Sequence, residues 1–115
     1  MTSREIVLIE RLAGTLPRSP LLLNGLCESD AELIRLPGTD MALALTTDAI
    51  AEEIAAGLYN DPYLIGWMVV MVNASDLAAV GAEPLGILLN ETLPGVVDPA
   101  YVERLQSGIR NALAV

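Results

Sequence analysis

The stretch DPYLIGWMVVMVNASDLAAVG, Asp61 to Gly81, constrains the fold more than any other part of the chain. Asp61 can cap a helix and Pro62 suits its first position, so a helical segment is expected from there to about Val80, with Gly81 ending it. Trp67, Met68, Met71 and Leu77 fall at positions expected to face a core. The unbroken apolar run inside it, Leu64 to Val72, is well short of the roughly 20 residues that cross a bilayer, so a core helix is expected and not a membrane span. Asn73, Ser75 and Asp76 interrupt this apolar segment. A carboxylate there loses solvation unless it is paired or bound to a metal, so the three either form a small polar network anchoring the following turn or serve chemistry.

The rest of the chain supplies the other elements. SREIVLIERLAGTLP repeats apolar residues at Ile6, Ile9, Leu12 and Ala13 behind Ser3, the pattern of a capped amphipathic helix. AELIRLPGTDMALALTTD reads as two strands joined at Pro37-Gly38-Thr39-Asp40. PLGILLNETLP reads as a further strand between two prolines, and DPAYVERLQSGIRNALAV as a closing helix capped by Asp98 with Pro99 at its start. Helix, hairpin, helix, strand, helix make an α+β plan: a mostly antiparallel sheet with helices on one face. At 115 residues one domain is expected, near the size where a partner surface often completes the core.

Composition narrows the chemistry. The net charge is −9, all six basic residues are arginine, and there is no histidine. Such a chain lacks the basic surface of a nucleic-acid binder, the commonest general base and the phosphate-binding lysine of a P-loop. A site must then be built from carboxylates, hydroxyls and amides, a donor set suited to hard cations such as Mg²⁺. The charged residues in MTSREIVLIERL spoil a signal or transit peptide, so a cytoplasmic location is expected. Cys27 stands alone and reads as a small, partly buried thiol. A hairpin puts Asp30, before its first strand, and Asp48, after its second, toward one end, where Asp76 can join them. Thr46 and Thr47 add oxygens beside Asp48, and the set makes a possible cage for one or more Mg²⁺ ions. Equally, Asp30 and Asp48 have the character of ordinary turn or cap residues.

TTDAIAEE and DPYLIGWMVVMVNASDLAAVGAEPLG resemble the amino-terminal half of the aminoimidazole ribonucleotide synthetase-related superfamily, in order and spacing nearest to its thiamine-monophosphate kinase-like branch and to uncharacterised synthetase-related proteins. The resemblance covers nearly all of residues 1–115. It implies an α+β amino-terminal domain whose strands complete a barrel with a second subunit at a homodimer interface. ATP and Mg²⁺ would bind between this domain and a carboxyl-terminal ATP-binding domain absent from this chain, with a GGDT-like segment expected shortly after Val115. Carried over by motif, the metal ligands are Asp30, Thr46, Thr47, Asp48 and Asp76, with Asn73, Ser75 and Asp76 toward the nucleotide and Asn73 orienting Asp76.

The departures are specific. Glu28-Ser29-Asp30 stands where the kinase-like branch has GDD, Ala55 where it has a substrate-contacting histidine, and Met68 where it has a helical lysine. The expected function is the metal-nucleotide-binding, dimer-forming domain of an enzyme that transfers or activates a phosphoryl group on a small molecule, and no nucleophilic side chain is required for that. A stand-alone dimerisation or regulatory module without turnover is the alternative. A plain interaction domain with turn aspartates is a third, and it predicts no effect of divalent ions on melting.

Overall fold

A computed structural model describes residues 3–115. Helix α1 (Arg4–Ala13) begins at Ser3, whose Oγ accepts from the Ile6 N–H at 3.1 Å. Its apolar residues follow the expected periodicity, yet it buries none of them. Strands β1 (Glu32–Arg35) and β2 (Ala42–Leu45) form the expected antiparallel hairpin, pairing Glu32 with Leu45 and Arg35 with Ala42. Residues 21–23 lie along the other edge of β1 through a bridge between Leu22 and Ile34. The Leu23 N–H donates to the Leu33 carbonyl and the Arg35 N–H to the Leu21 carbonyl, at 2.8 and 2.9 Å.

A short helix α2 (Ala51–Ala55) was not expected from the sequence; it leads into α3 (Pro62–Ala79). Asp61 Oδ1 caps α3 by accepting from the Tyr63 N–H at 3.0 Å. At the far end Gly81 takes φ +71°, and the Gly81 and Ala82 N–H groups close onto the Ala78 and Leu77 carbonyls. This is the left-handed exit that glycine makes without strain. Helix α4 (Pro99–Leu113) starts as expected at Asp98, which accepts from the Ala100 N–H.

The main tertiary packing is α3 against α4. Gly66 lies on the Leu105 carbonyl and the Ile109 N–H, while Gly108 lies on the Tyr63 carbonyl and the Trp67 N–H, so the two backbones touch where neither carries a Cβ. Ile50, Ile65, Val70, Leu105, Ile109 and Ala112 form the core, with Trp67, Met68 and Met71 packed on it as expected. Leu77 is half-buried outside that cluster. Among the described residues α3 alone is long and apolar enough to cross a membrane by length and composition.

Two expectations need correction. The strand over PLGILLNETLP is absent: residues 82–98 run without helix or strand, and no backbone hydrogen bond forms from residues 83–97. A strand exists only through a neighbour's N–H and C=O groups, and among the described residues none pairs with this segment. Leu85 and Leu88 are accordingly 85% and 103% exposed. The sheet is therefore two-stranded, and the helices pack on each other and not as a layer across it. Cys27, expected partly buried, is exposed and takes φ +58° in the turn before β1.

Candidate functional site

Most of the polar groups singled out in the sequence gather where the open end of the hairpin meets the C-terminal half of α3. Thr46, one residue beyond β2, is the junction. Its hydroxyl lies 3.2 Å from the Asp30 carbonyl and 3.4 Å from Asp76 Oδ2. Both partners are acceptors, so the single hydroxyl proton is shared between Asp30, just before β1, and Asp76 of α3, at the end of β2. Thr46 and Asp76 are half-buried, while Asp30, Thr47 and Asp48 are exposed. Antiparallel pairing explains the proximity, because strands that begin and end side by side bring residues 30 and 46 together.

Asn73 does not orient Asp76. Its Nδ2 donates to the Val69 carbonyl at 2.8 Å, one turn back along its own helix, and to the Asp48 carbonyl at 3.4 Å. Asn side chains in helices commonly bond the carbonyl four residues earlier. Here that rotamer also reaches across to the β2–α2 connection, so Asn73 ties α3 to the hairpin. The Asp48 carboxylate accepts from the Ala49 N–H at 2.8 Å, a local turn contact. Ser75 is exposed and shares no hydrogen bond with the others.

Two hollows flank this junction. One, of about 700 Å³, is lined by Asp30, Thr46, Thr47 and Arg18, the last paired to Glu32 at 3.0 Å. The other, of about 1020 Å³, lies between the hairpin end, α3 and the segment 85–93, with Thr47, Asp48, Asn73 and Leu77 on its wall. Thr46 and Thr47 border both. Among the described residues no three acidic, His or Cys side chains converge as a ready-made cation cluster. The donors fit Mg²⁺ in a more open way, because that ion is commonly held by one or two carboxylates together with phosphate oxygens and waters. At the Thr46 junction Asp76 offers a carboxylate and Asp30 its backbone carbonyl, with the exposed Asp30 carboxylate on the same turn.

The turn carrying Asp30 is held by a residue the sequence reading passed over. Asn24 donates through Nδ2 to Ser29 Oγ at 2.7 Å and to the Ala31 carbonyl at 2.9 Å, and its Oδ1 accepts from the Leu33 N–H at 3.0 Å. The visible signal was an Asn-Gly pair after three leucines, which reads only as a chain break.

Fold and site together define a small α+β domain with an oxygen-rich corner between a hairpin and a long apolar helix. The chain belongs to the family described as AIR synthase related protein, N-terminal domain, whose model matches residues 28–115. It is 36% identical over 70 residues to the thiamine-monophosphate kinase of Aquifex aeolicus, covering 61% of this chain and 23% of that protein. The thiamine-monophosphate kinase of Synechococcus elongatus is 31% identical over 105 residues, covering 87% of this chain and 31% of the relative. Phosphoribosylformylglycinamidine synthase subunit PurL of Lacticaseibacillus paracasei is 48% identical over 59 residues, 51% of this chain and 8% of that subunit. The chain thus spans less than a third of the length of these relatives. No solved structure matches it significantly.

Proposed function

We propose that this chain is the metal-nucleotide-binding and dimer-forming domain of a cytoplasmic, ATP- and Mg²⁺-dependent enzyme that transfers or activates a phosphoryl group on a small molecule. The observation that carries the reading is the Thr46 hydroxyl set between the Asp30 carbonyl and the Asp76 carboxylate. It gathers oxygen donors from three elements at one point without a lysine or histidine, as a hard cation requires. The relatives named kinase and synthase support the same class of chemistry.

In this reading Asp76 and Asp30 hold Mg²⁺, with Thr46, Thr47 and Asp48 completing its surroundings directly or through water. Bound there, the ion would neutralise charge on nucleotide phosphates, which is the larger part of phosphoryl-transfer catalysis. The residues of this chain fix the donors in advance. Thr46 sets the distance between strand end and helix, and Asn73 stops the 46–48 connection from moving away from α3.

The dimer rests on the segment 85–93. Its apolar side chains and unpaired backbone suit a strand that pairs with another subunit and so completes a barrel. That surface also favours the second reading, a dimerisation module without turnover.

Melting with and without Mg²⁺ plus ATP, beside Asp76→Asn, tests the metal-nucleotide site. A ligand at a hundredfold excess over its Kd adds about 2.7 kcal/mol to the folded state. Stabilisation in the parent that is lost in the variant is the expected result. No shift in either protein would rule out the metal-nucleotide site and leave the dimerisation module.

A further inference from the structure

We infer that Asn24 is the positioning residue of the proposed cation site, setting the Asp30 turn without touching the ion; the inference rests on Asp30 belonging to that site. Asp30 is exposed, its carboxylate makes no hydrogen bond within the described residues, and it follows a turn of Gly25, Glu28 and Ser29. Such a carboxylate would sample many positions unless its backbone were fixed. Asn24 fixes it from both sides. Its single amide holds Ser29 ahead of Asp30 and Ala31 and Leu33 behind it, using both N–H and C=O ends. Asn24 is itself half-buried, and its own carbonyl accepts from Arg18 Nη2 at 3.3 Å, while the same nitrogen bonds Glu32 of β1. The clip is therefore anchored to the strand that leads away from Asp30.

Ser29 is spent within this clip. Its hydroxyl accepts from Asn24 and donates to the Ala31 carbonyl at 2.6 Å. With its proton and one lone pair so used, Ser29 supports the turn and does not extend the donor set. Glu28 folds back to accept from the Gly25 N–H, which leaves Asp30 as the acidic side chain of the turn without a hydrogen-bond partner among the described residues. Partners that orient a ligand in this way typically account for tenfold or more in metal affinity when removed.

The test is calorimetric titration of Mg·ATP into the full chain and into Asn24→Ala, Asp30→Asn and Asn111→Ala, with amide exchange of Leu33 followed by NMR. Asn111→Ala removes one hydrogen bond, to the Tyr63 hydroxyl, in the α3–α4 pair and controls for loss of stability alone. Asn24→Ala is expected to weaken Mg·ATP binding roughly tenfold and to speed Leu33 exchange, while Asn111→Ala does neither. If Asp30→Asn weakens binding and Asn24→Ala does not, Asn24 has no positioning role although the site stands. If the parent chain binds no Mg·ATP, or Asp30→Asn binds as the parent does, the site reading at Asp30 fails and the role of Asn24 falls with it.

Discussion

Asp61 serves two partners at once. It caps α3 and pairs with Arg104 of α4 at 2.6 Å. The Arg104 hydrogen bond, then the Tyr63 N–H, hold its carboxyl below its ordinary value of 3.8. A carboxyl whose pKa falls on folding adds stability that is fully present above the unfolded value, and that stability is lost as pH falls through the folded one. Melting followed between about pH 6 and pH 2 should therefore show an acid decline, shallower in Asp61→Ser, which keeps a capping oxygen and loses the titrating pair. The effect is expected to be small and to shrink in salt, because both side chains are largely in water. At this scale the caps were legible in the sequence: Ser3, Asp61 and Asp98 all accept from the N–H groups expected of them. Local chemistry within three residues determines such contacts. The partners of Asn24 and Asn73 were not legible, because each side chain bonds a segment whose distance only folding defines.

The α3–α4 pair holds the domain together by close approach of two backbones. An alanine methyl at Gly66 would meet the Leu105 carbonyl, and one at Gly108 the Tyr63 carbonyl, so either would force the helices apart. Gly66→Ala and Gly108→Ala are each expected to cost about 3 kcal/mol or more in urea unfolding, at the upper end for overpacking. Gly81→Ala should cost about 1 kcal/mol, since its φ of +71° strains any side chain while open space surrounds it. An equal loss at Gly66 and Gly81 would contradict the close packing. Helix α1 behaves differently, because none of its residues is buried. Leu12→Ser should change stability by less than about 0.5 kcal/mol. The period of α1 announced an apolar face in the sequence, but periodicity shows that a face exists and not what covers it.

The whole molecule is more open than its mass implies. A compact monomer of this size would expose about 6,100 Å² and have a radius of gyration of about 13 Å. The chain exposes 8667 Å² and its radius is 16.8 Å. The excess surface, with Leu85, Leu88 and Val96 almost fully in water, supports the proposal that another surface completes the domain. Sedimentation of the chain should show a dimer that Leu88→Glu converts to monomer, with the helical circular dichroism kept; a monomeric parent at micromolar concentration would remove the dimer from the proposal. The sequence by itself determined the starts of α1, α3 and α4, the hairpin, the lack of lysine and histidine and the acidic residues available to a site, because each depends on neighbours along the chain. Only the tertiary structure decided that Thr46 stands between Asp30 and Asp76, that two glycines set the helix crossing, and that residues 85–93 have no strand beside them. Those outcomes depend on contacts between distant segments, and a β-strand in particular has no existence apart from the neighbour that pairs with it.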